Sequence, residues 1–266
     1  MKKIILFDID GTLIDCMHGQ DCISEKTKKA LKRLKEAGYY LFIASGRPYC
    51  YITKDIKSFE FDGYILDDGA YVLYQNKELS YHPINIDDLK LIIKQSQEKN
   101  RACIAYTKKK AYLFNVDQEL INYCHSFKFQ DEYIDYVDDI KDIQNDILKL
   151  HVQSRNEKDF HDMDIDQTKF YSANDHEYFL NEIYGRKYTK ATALLEVLKE
   201  LDILVENSYF FGDGLNDIEM LDAIGHPIVM GNARDEVKSH GEYICKSVSE
   251  DGVADFIENS NLFFNK

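Results

Sequence analysis

Ile4-Ile5-Leu6-Phe7-Asp8-Ile9-Asp10-Gly11-Thr12-Leu13 is the stretch whose reading decides the fold. An apolar run of four residues makes a short strand, and polar residues end it abruptly. Asp8 and Asp10, two residues apart, project to the same side of an extended backbone. Gly11 then lets that backbone turn sharply toward whatever the two carboxylates hold. Such an arrangement makes a poor core and a good site. The bland alternative is an acidic turn after an edge strand.

Working outward, Ser24 is an N-cap for a helix with an apolar stripe of Ala30, Leu31, Leu34 and Ala37, which Gly38 ends. A second strand, Tyr40 to Ala44, breaks into Ser45, Gly46, Arg47 and Pro48. This order of strand, helix and strand implies a parallel sheet with a right-handed crossover. A helix from about Tyr49 to Phe59 leads to a strand, Gly63 to Leu66, followed by Asp67, Asp68, Gly69 and Ala70. Tyr71 to Tyr74 and Glu78 to Tyr81 read as a hairpin around Asn76 and Lys77, and Pro83 interrupts the chain.

Beyond Pro83 the texture changes. Helices over Asp87 to Asn100 and Asp117 to Phe127 alternate with strands near Ala102 to Tyr106, Ala111 to Asn115, Ile147 to Gln153, Thr168 to Ser172 and Tyr178 to Leu180. The α/β rhythm resumes after Gly185, with a helix capped by Thr189, a strand over Ser208 to Phe211 and another over Pro227 to Met230. The expected class is α/β: a Rossmann-like, mostly parallel core from residues 1–82 and 185–266, interrupted by an α+β insert over residues 83–184.

A chain of 266 residues that is 44% hydrophobic can bury a sizeable core in two domains. The formal net charge of -14 argues against a nucleic-acid surface, which needs clustered Lys and Arg. It leaves room for a small phosphorylated ligand, held by local charge and backbone N–H groups. Six scattered cysteines without a CxxC pair, and no signal peptide, lead to the expectation of a cytoplasmic protein with reduced thiols. No apolar run approaches the ~20 residues that span a bilayer, so no membrane partner is expected. A monomer or weak dimer is expected. His161, Asp162 and Asp164 lie close together without a recognised ligand spacing and read as a solvated loop.

Three polar motifs each follow an apolar strand: Asp8/Asp10, Ser45/Gly46, and Asp213/Asn216/Asp217 after Tyr209 to Phe211. In a parallel sheet these ends share one edge, where open α/β folds place ligands. In this order the chain resembles a haloacid dehalogenase superfamily phosphatase of the Cof-type, class IIB, large-cap branch. Asp8 to Leu13 matches its first motif, Ser45 to Arg47 the second, Lys190 in "TKATALLEVL" the third and "GDGLND" from Gly212 to Asp217 the fourth. "MGNA" from Met230 and "EDGVADFI" near the end are also similar to that branch.

The resemblance implies a magnesium-dependent phosphatase acting on a small phosphorylated metabolite of the sugar phosphate, flavin phosphate or pyridoxal phosphate class. Asp8 would be the nucleophile, forming an aspartyl phosphate, and Asp10 the acid and base. Mg2+ would be held by Asp8, the Asp10 carbonyl and Asp213, with Asp217 nearby through water. Ser45, the Gly46 and Gly11 N–H groups, Lys190 and Asn216 would cradle the phosphoryl oxygens. The insert would be a cap that excludes water and selects the leaving group.

Bland readings stand beside these. Lys190 is equally a solvated residue on an amphipathic helix, with Lys187 as a near neighbour, and Asp213 and Asp217 are equally helix caps. Arg47 contacts substrate or pairs with carboxylates of the insert. Asp68 stands where the branch usually has Asn; it either points away from a phosphorylated substrate or recognises a cationic or hydroxyl-rich part of the leaving group. At the level of function, a phosphosugar mutase and a non-catalytic phosphate-sensing or phospho-acceptor module are the alternatives.

Overall fold

A computed structural model of the chain describes residues 2–126, 131–138, 146–156, 159, 161–175 and 179–264. The chain begins β1 (Lys3–Phe7), α1 (Glu25–Glu36), β2 (Tyr39–Ala44), α2 (Lys54–Ser58), β3 (Gly63–Leu66), β4 (Tyr71–Tyr74) and β5 (Lys77–Tyr81). It continues α3 (Ile86–Glu98), β6 (Cys103–Tyr106), β7 (Ala111–Phe114), α4 (Gln118–Ser126), β8 (Ile134–Tyr136), β9 (Lys149–Gln153), β10 (Phe170–Asp175) and β11 (Leu180–Gly185). It ends α5 (Lys190–Leu201), β12 (Ser208–Gly212), α6 (Ile218–Ala223), β13 (His226–Val229), α7 (Asp235–Lys238), β14 (Tyr243–Ile244) and α8 (Gly252–Asn259).

These elements form two compact units. The first combines Met1–Gly46, Ile52–Ser80 and Thr189–Lys266, and the second combines Arg47–Tyr51 with Tyr81–Tyr188.

The first unit is built on an eight-stranded sheet in the order β14-β13-β12-β1-β2-β3-β4-β5. From β14 to β3 every pairing is parallel, and β4 then runs antiparallel to β3. Ile4 to Phe7 are wholly buried, as a central parallel strand covered on both faces must be. On one face Ile4, Leu6, Phe42 and Phe210 pack with Ala193, Leu194 and Val197 of α5 and Met220 and Leu221 of α6. On the other, Phe7 stacks on Phe211 at 5.2 Å, and Phe211 meets Phe256 of α8 edge-on at 5.7 Å. The first helix forms as its sequence dictates: the Ser24 side chain accepts from the Thr27 N–H, Ala30, Leu31 and Leu34 are buried, and Gly38 ends the helix at φ +87°.

The second unit is a six-stranded sheet in the order β10-β11-β9-β6-β7-β8. Leu89, Ile92 and Ile93 of α3 pack on one face against Cys103, Ala105, Leu150, Val152 and Ile183. Leu120, Tyr123 and Cys124 of α4 pack on the other against Ile104, Tyr106 and Leu113.

Several local expectations are corrected. The single helix expected over Tyr49 to Phe59 is broken into a 3-10 turn at Tyr49–Tyr51 and the short α2. Thr53 breaks it, because its backbone is extended and its Oγ1 accepts from the Ile56 N–H as an N-cap. Cys50 and Tyr51 are instead buried in the apolar cluster of the second unit.

The hairpin turn falls on Gln75 and Asn76, at φ +48° and +61°, and Lys77 already belongs to β5. Two left-handed residues match the twist of a hairpin, so the pair that tolerates them sets the turn. The strand expected over Tyr178 to Leu180 is β11, which runs on to Gly185 because it is paired on both sides, with β9 and β10. Tyr178, and Phe127 at the expected end of the second insert helix, lie outside the described residues.

His161, Asp162 and Asp164 are exposed, as a solvated loop requires, and Asp162 also accepts from the buried Arg101 at 2.5 Å. Among the described residues no helix is long and apolar enough to cross a membrane.

Leu194 and Leu195 are adjacent on α5, one buried and one half exposed. Leu194→Ala should cost about 2–5 kcal/mol in urea denaturation, from lost transfer energy and a residual cavity. Leu195→Ala should stay within about 0.5 kcal/mol of the parent.

Candidate active site

The strands β1, β2 and β12 are parallel neighbours, so the loops that follow them leave the same sheet edge. Asp8 stays in register by donating its N–H to the Phe211 carbonyl at 2.9 Å. The chain then turns at Gly11, φ +79°, where an added Cβ would overlap the Asp213 carboxylate. This close approach brings the first loop onto the loop after β12. Thr12 Oγ1 donates to Asp213 Oδ1 at 2.8 Å, and Asn232 Nδ2 donates both to Asp213 Oδ2 at 3.2 Å and to the Gly11 carbonyl at 2.8 Å.

Lys190 opens α5, where Thr189 and Thr192 form a reciprocal capping box. Its position is set from outside as well. Gly69, at φ +110°, lies so close to the Thr189 carbonyl that a Cβ would overlap it. From there the Lys190 ammonium, 2% exposed as a residue, donates to Asp8 Oδ1 at 3.0 Å and to Asp217 Oδ1 at 2.7 Å. The reading of Lys190 as a solvated helix residue is excluded.

Asp217 ties the turn before α6 to Lys190. Its Oδ2 accepts from the Asp213 and Gly214 N–H groups at 3.0 and 2.9 Å, closing the turn before α6, while its Oδ1 meets Lys190.

One carboxylate oxygen from each of Asp8, Asp213 and Asp217 lies within 4.8 Å of the others. Burial pushes the Asp8 carboxyl well above the usual carboxylate range; the Lys190 charge opposes this, and Asp217 and Asp213 add to it. Burial, then the Asp217 charge, push Asp213 up to about 7. For Lys190, burial alone would lower the ammonium's pKa, but Asp217 and Asp8 override it and hold the group above its ordinary value. A cluster in which the Asp8 and Asp213 carboxyls are both pushed up, and whose donors are all hard oxygens, fits a hard divalent cation such as Mg2+.

Other expected residues fall as follows. Asp10 is half-buried in the first loop and bridges to Ile14. The Gly11 N–H does not stand ready as a phosphate donor: it donates to the Ile14 carbonyl at 2.8 Å, because the tight turn consumes it. Ser45 is buried, its N–H donating to Ile65 and its carbonyl accepting from Asp68. Asp68 accepts from Asn216 Nδ2 at 2.9 Å and lies against Gly46, where a Cβ would come within 3.0 Å of it. Asp67, Asp68 and Gly69 all have positive φ, a strained path that delivers this carboxylate inward. Arg47 belongs to the second unit, where its Nη1 donates to the Tyr51 carbonyl at 3.1 Å, and Lys187 also falls there. Thr12 and Asn232 were not foreseen as site residues. Asn232 had a signal, in that it follows β13 on the same sheet edge.

The family description "haloacid dehalogenase-like hydrolase" matches residues 5–257. The putative phosphatase YkrA of Bacillus subtilis (strain 168) is 27% identical, covering 98% of this chain and 98% of that protein. YcsE of the same organism, named 5-amino-6-(5-phospho-D-ribitylamino)uracil phosphatase, is 26% identical over 97% of this chain and 95% of its own. In fold, the chain is similar to the solved HAD subclass IIB sugar phosphatase BT4131, with a TM-score of 0.85 at 22% identity over 97% of this chain and 98% of that one.

Occupation of the acidic cluster should be visible without any assay of turnover. Mg2+ at about a hundred times its dissociation constant should stabilise the fold by about 2.7 kcal/mol, read as a rise in thermal midpoint. Asp213→Asn should abolish most of that rise.

Proposed function

The chain belongs to the haloacid dehalogenase-like hydrolases, and on that footing we propose a phosphatase of their IIB type, a magnesium-dependent hydrolase of a small cytoplasmic phosphomonoester working through an aspartyl phosphate. One observation carries the reading: a buried lysine bridges the carboxylates of Asp8 and Asp217, with Asp213 within 4.8 Å of both. A structural ion pair needs one carboxylate, and this lysine is given two with a third beside them.

In this reading the Asp8 carboxylate attacks the phosphorus, a bond forms from its oxygen, and the ester P–O bond breaks in line. Asp10 gives its proton to the leaving oxygen, then takes one from the water that cleaves the acyl phosphate. Asp8, the Asp10 carbonyl and Asp213 would hold Mg2+, with Asp217 behind them. When bound, the ion supplies positive charge for the transferring phosphoryl group and for the carboxylates.

The remaining donors are counted from the hydrogen bonds. Lys190 has three N–H groups, of which Asp8 and Asp217 take two, leaving one for a phosphoryl oxygen. Asn216 gives one amide hydrogen to Asp68 and keeps the other. Ser45 and Gly46, on the loop after β2, are the further residues assigned to the cradle, and Gly11 contributes shape in place of a donor. The second unit, which contains residues 83–184, would screen the leaving group, with Arg47 at its start. The relatives are named as phosphatases, which favours hydrolysis over the mutase and phospho-acceptor readings.

Sugar phosphates, flavin phosphate and pyridoxal phosphate form the panel for the test. The 5-amino-6-(5-phospho-D-ribitylamino)uracil named for two relatives joins them. With Mg2+ the protein should release inorganic phosphate from at least one, and a chelator should stop it. Asp8→Asn should lower kcat by about a thousandfold or more, since an amide is a very poor nucleophile. Phosphate release from none of the panel would sink the proposal.

A further inference from the structure

Of Gly11, Ser45, Gly46, Lys190 and Asn216, Asn216 is the exposed member, on the 3-10 turn Leu215–Asp217 after β12. An asparagine amide turns through broad torsional wells unless something holds it. Here both of its ends are engaged. Its Oδ1 lies over Gly214, where an added Cβ would come within 2.5 Å of it, and its Nδ2 donates to Asp68 Oδ1 at 2.9 Å. A carboxylate oxygen accepts and does not donate, so it selects the nitrogen end of the amide. The second Nδ2 hydrogen is therefore carried by an atom whose place is set.

The acid that does this is delivered at a cost. Asp67 and Asp68 stand in the left-handed region at φ +49° and +54°, and Gly69 follows at +110°. Asp68 is 2% exposed, and its N–H reaches the Ser45 carbonyl at 3.3 Å. Its carboxylate fits only because Gly46 yields the space: a Cβ there would stand 3.0 and 3.1 Å from Oδ1 and Oδ2. Asp68 also acts on the lysine of the site. Burial lowers the Lys190 ammonium, and the charges of Asp217, Asp8 and then Asp68 raise it above its ordinary value. An exposed asparagine on a turn needs no buried partner, and a carboxylate beside a phosphoryl site repels what that site must bind. Its use there lies in the donor that it holds.

We infer that Asp68 is a positioning residue that holds the Asn216 amide nitrogen so that its second hydrogen is presented to a phosphoryl oxygen. Asp68 thus acts on the phosphoryl group through Asn216. The inference rests on the phosphatase reading and adds to it a buried acid that sets the affinity of the first unit's site for phosphate.

The test reads, with Mg2+ present, KM for a member of the panel that the parent hydrolyses and the inhibition constant of inorganic phosphate. Asp68→Gly keeps the left-handed backbone free of strain and should raise both constants about tenfold, with kcat within about threefold of the parent. Asp68→Asn keeps an accepting oxygen and should stay within about threefold of the parent in both. In an Asn216→Ala background, Asp68→Gly should change neither constant by more than about twofold, because the two residues act as one unit. Equal effects of Asp68→Gly with and without Asn216, no effect of it at all, or Asp68→Asn as impaired as Asp68→Gly, would each overturn the inference while leaving the hydrolase intact. Should Asp68→Gly fail to fold, the parent itself decides: its Asn216 side-chain amide, assigned by its absence from Asn216→Ala, should show an NMR order parameter near the ~0.85 of rigid structure, and one below about 0.6 would overturn the inference. A parent that hydrolyses no member of the panel would overturn the phosphatase reading itself.

Discussion

The Lys190 ammonium, buried between Asp8 and Asp217, is the interaction on which the first unit's site depends. The parallel sheet delivers carboxylates from two neighbouring strands to one edge, in surroundings where like charges repel strongly. A cation must therefore arrive from elsewhere in the chain, and α5 brings it. Much of the odd backbone in the unit serves that delivery. Gly69 exists so that its loop can touch the carbonyl before Lys190, and Gly11 so that the first loop can close over Asp213. Removing one partner would leave a buried charge uncompensated, which is far costlier than never having built the pair.

The second unit meets the same electrostatic problem with the signs exchanged. At the sheet edge one lysine serves two acids; on β9 and β11 two basic side chains serve one. In both places buried members of one sign surround a partner of the other. The difference lies in what is left over. Lys190 keeps one donor, and Glu182 keeps acceptor capacity.

Much of this was legible from residue order. A four-residue apolar run before Asp8, the caps at Ser24 and Thr189, and the three polar motifs after strands are local signals, and local hydrogen bonding honours them. What escaped was decided by partners distant in sequence. Thr53 reads as an ordinary helical residue until its extended backbone caps α2, and nothing near Cys50 and Tyr51 announces that they fill another unit's core. The Gly11 N–H was expected to face a phosphate because the turn that engages it with Ile14 cannot be seen in composition. Lys149, His151 and Glu182 are separated in the chain and become a cluster only through the antiparallel register of β9 and β11.

The Arg47–Tyr51 segment gives this protein an unusual kind of modularity. The chain enters the second unit immediately after Gly46, leaves it before Ile52, re-enters at Tyr81 and leaves again after Tyr188. A transplant of the long insertion alone, from Tyr81 to Tyr188, would therefore arrive with a void where Cys50 and Tyr51 pack among Ile104, Tyr106 and Leu120. An exchange of this unit between relatives would have to carry two separate stretches of gene, the shorter one directly abutting the loop that holds Ser45. The short stretch and the loop beside it are thus tied together in inheritance.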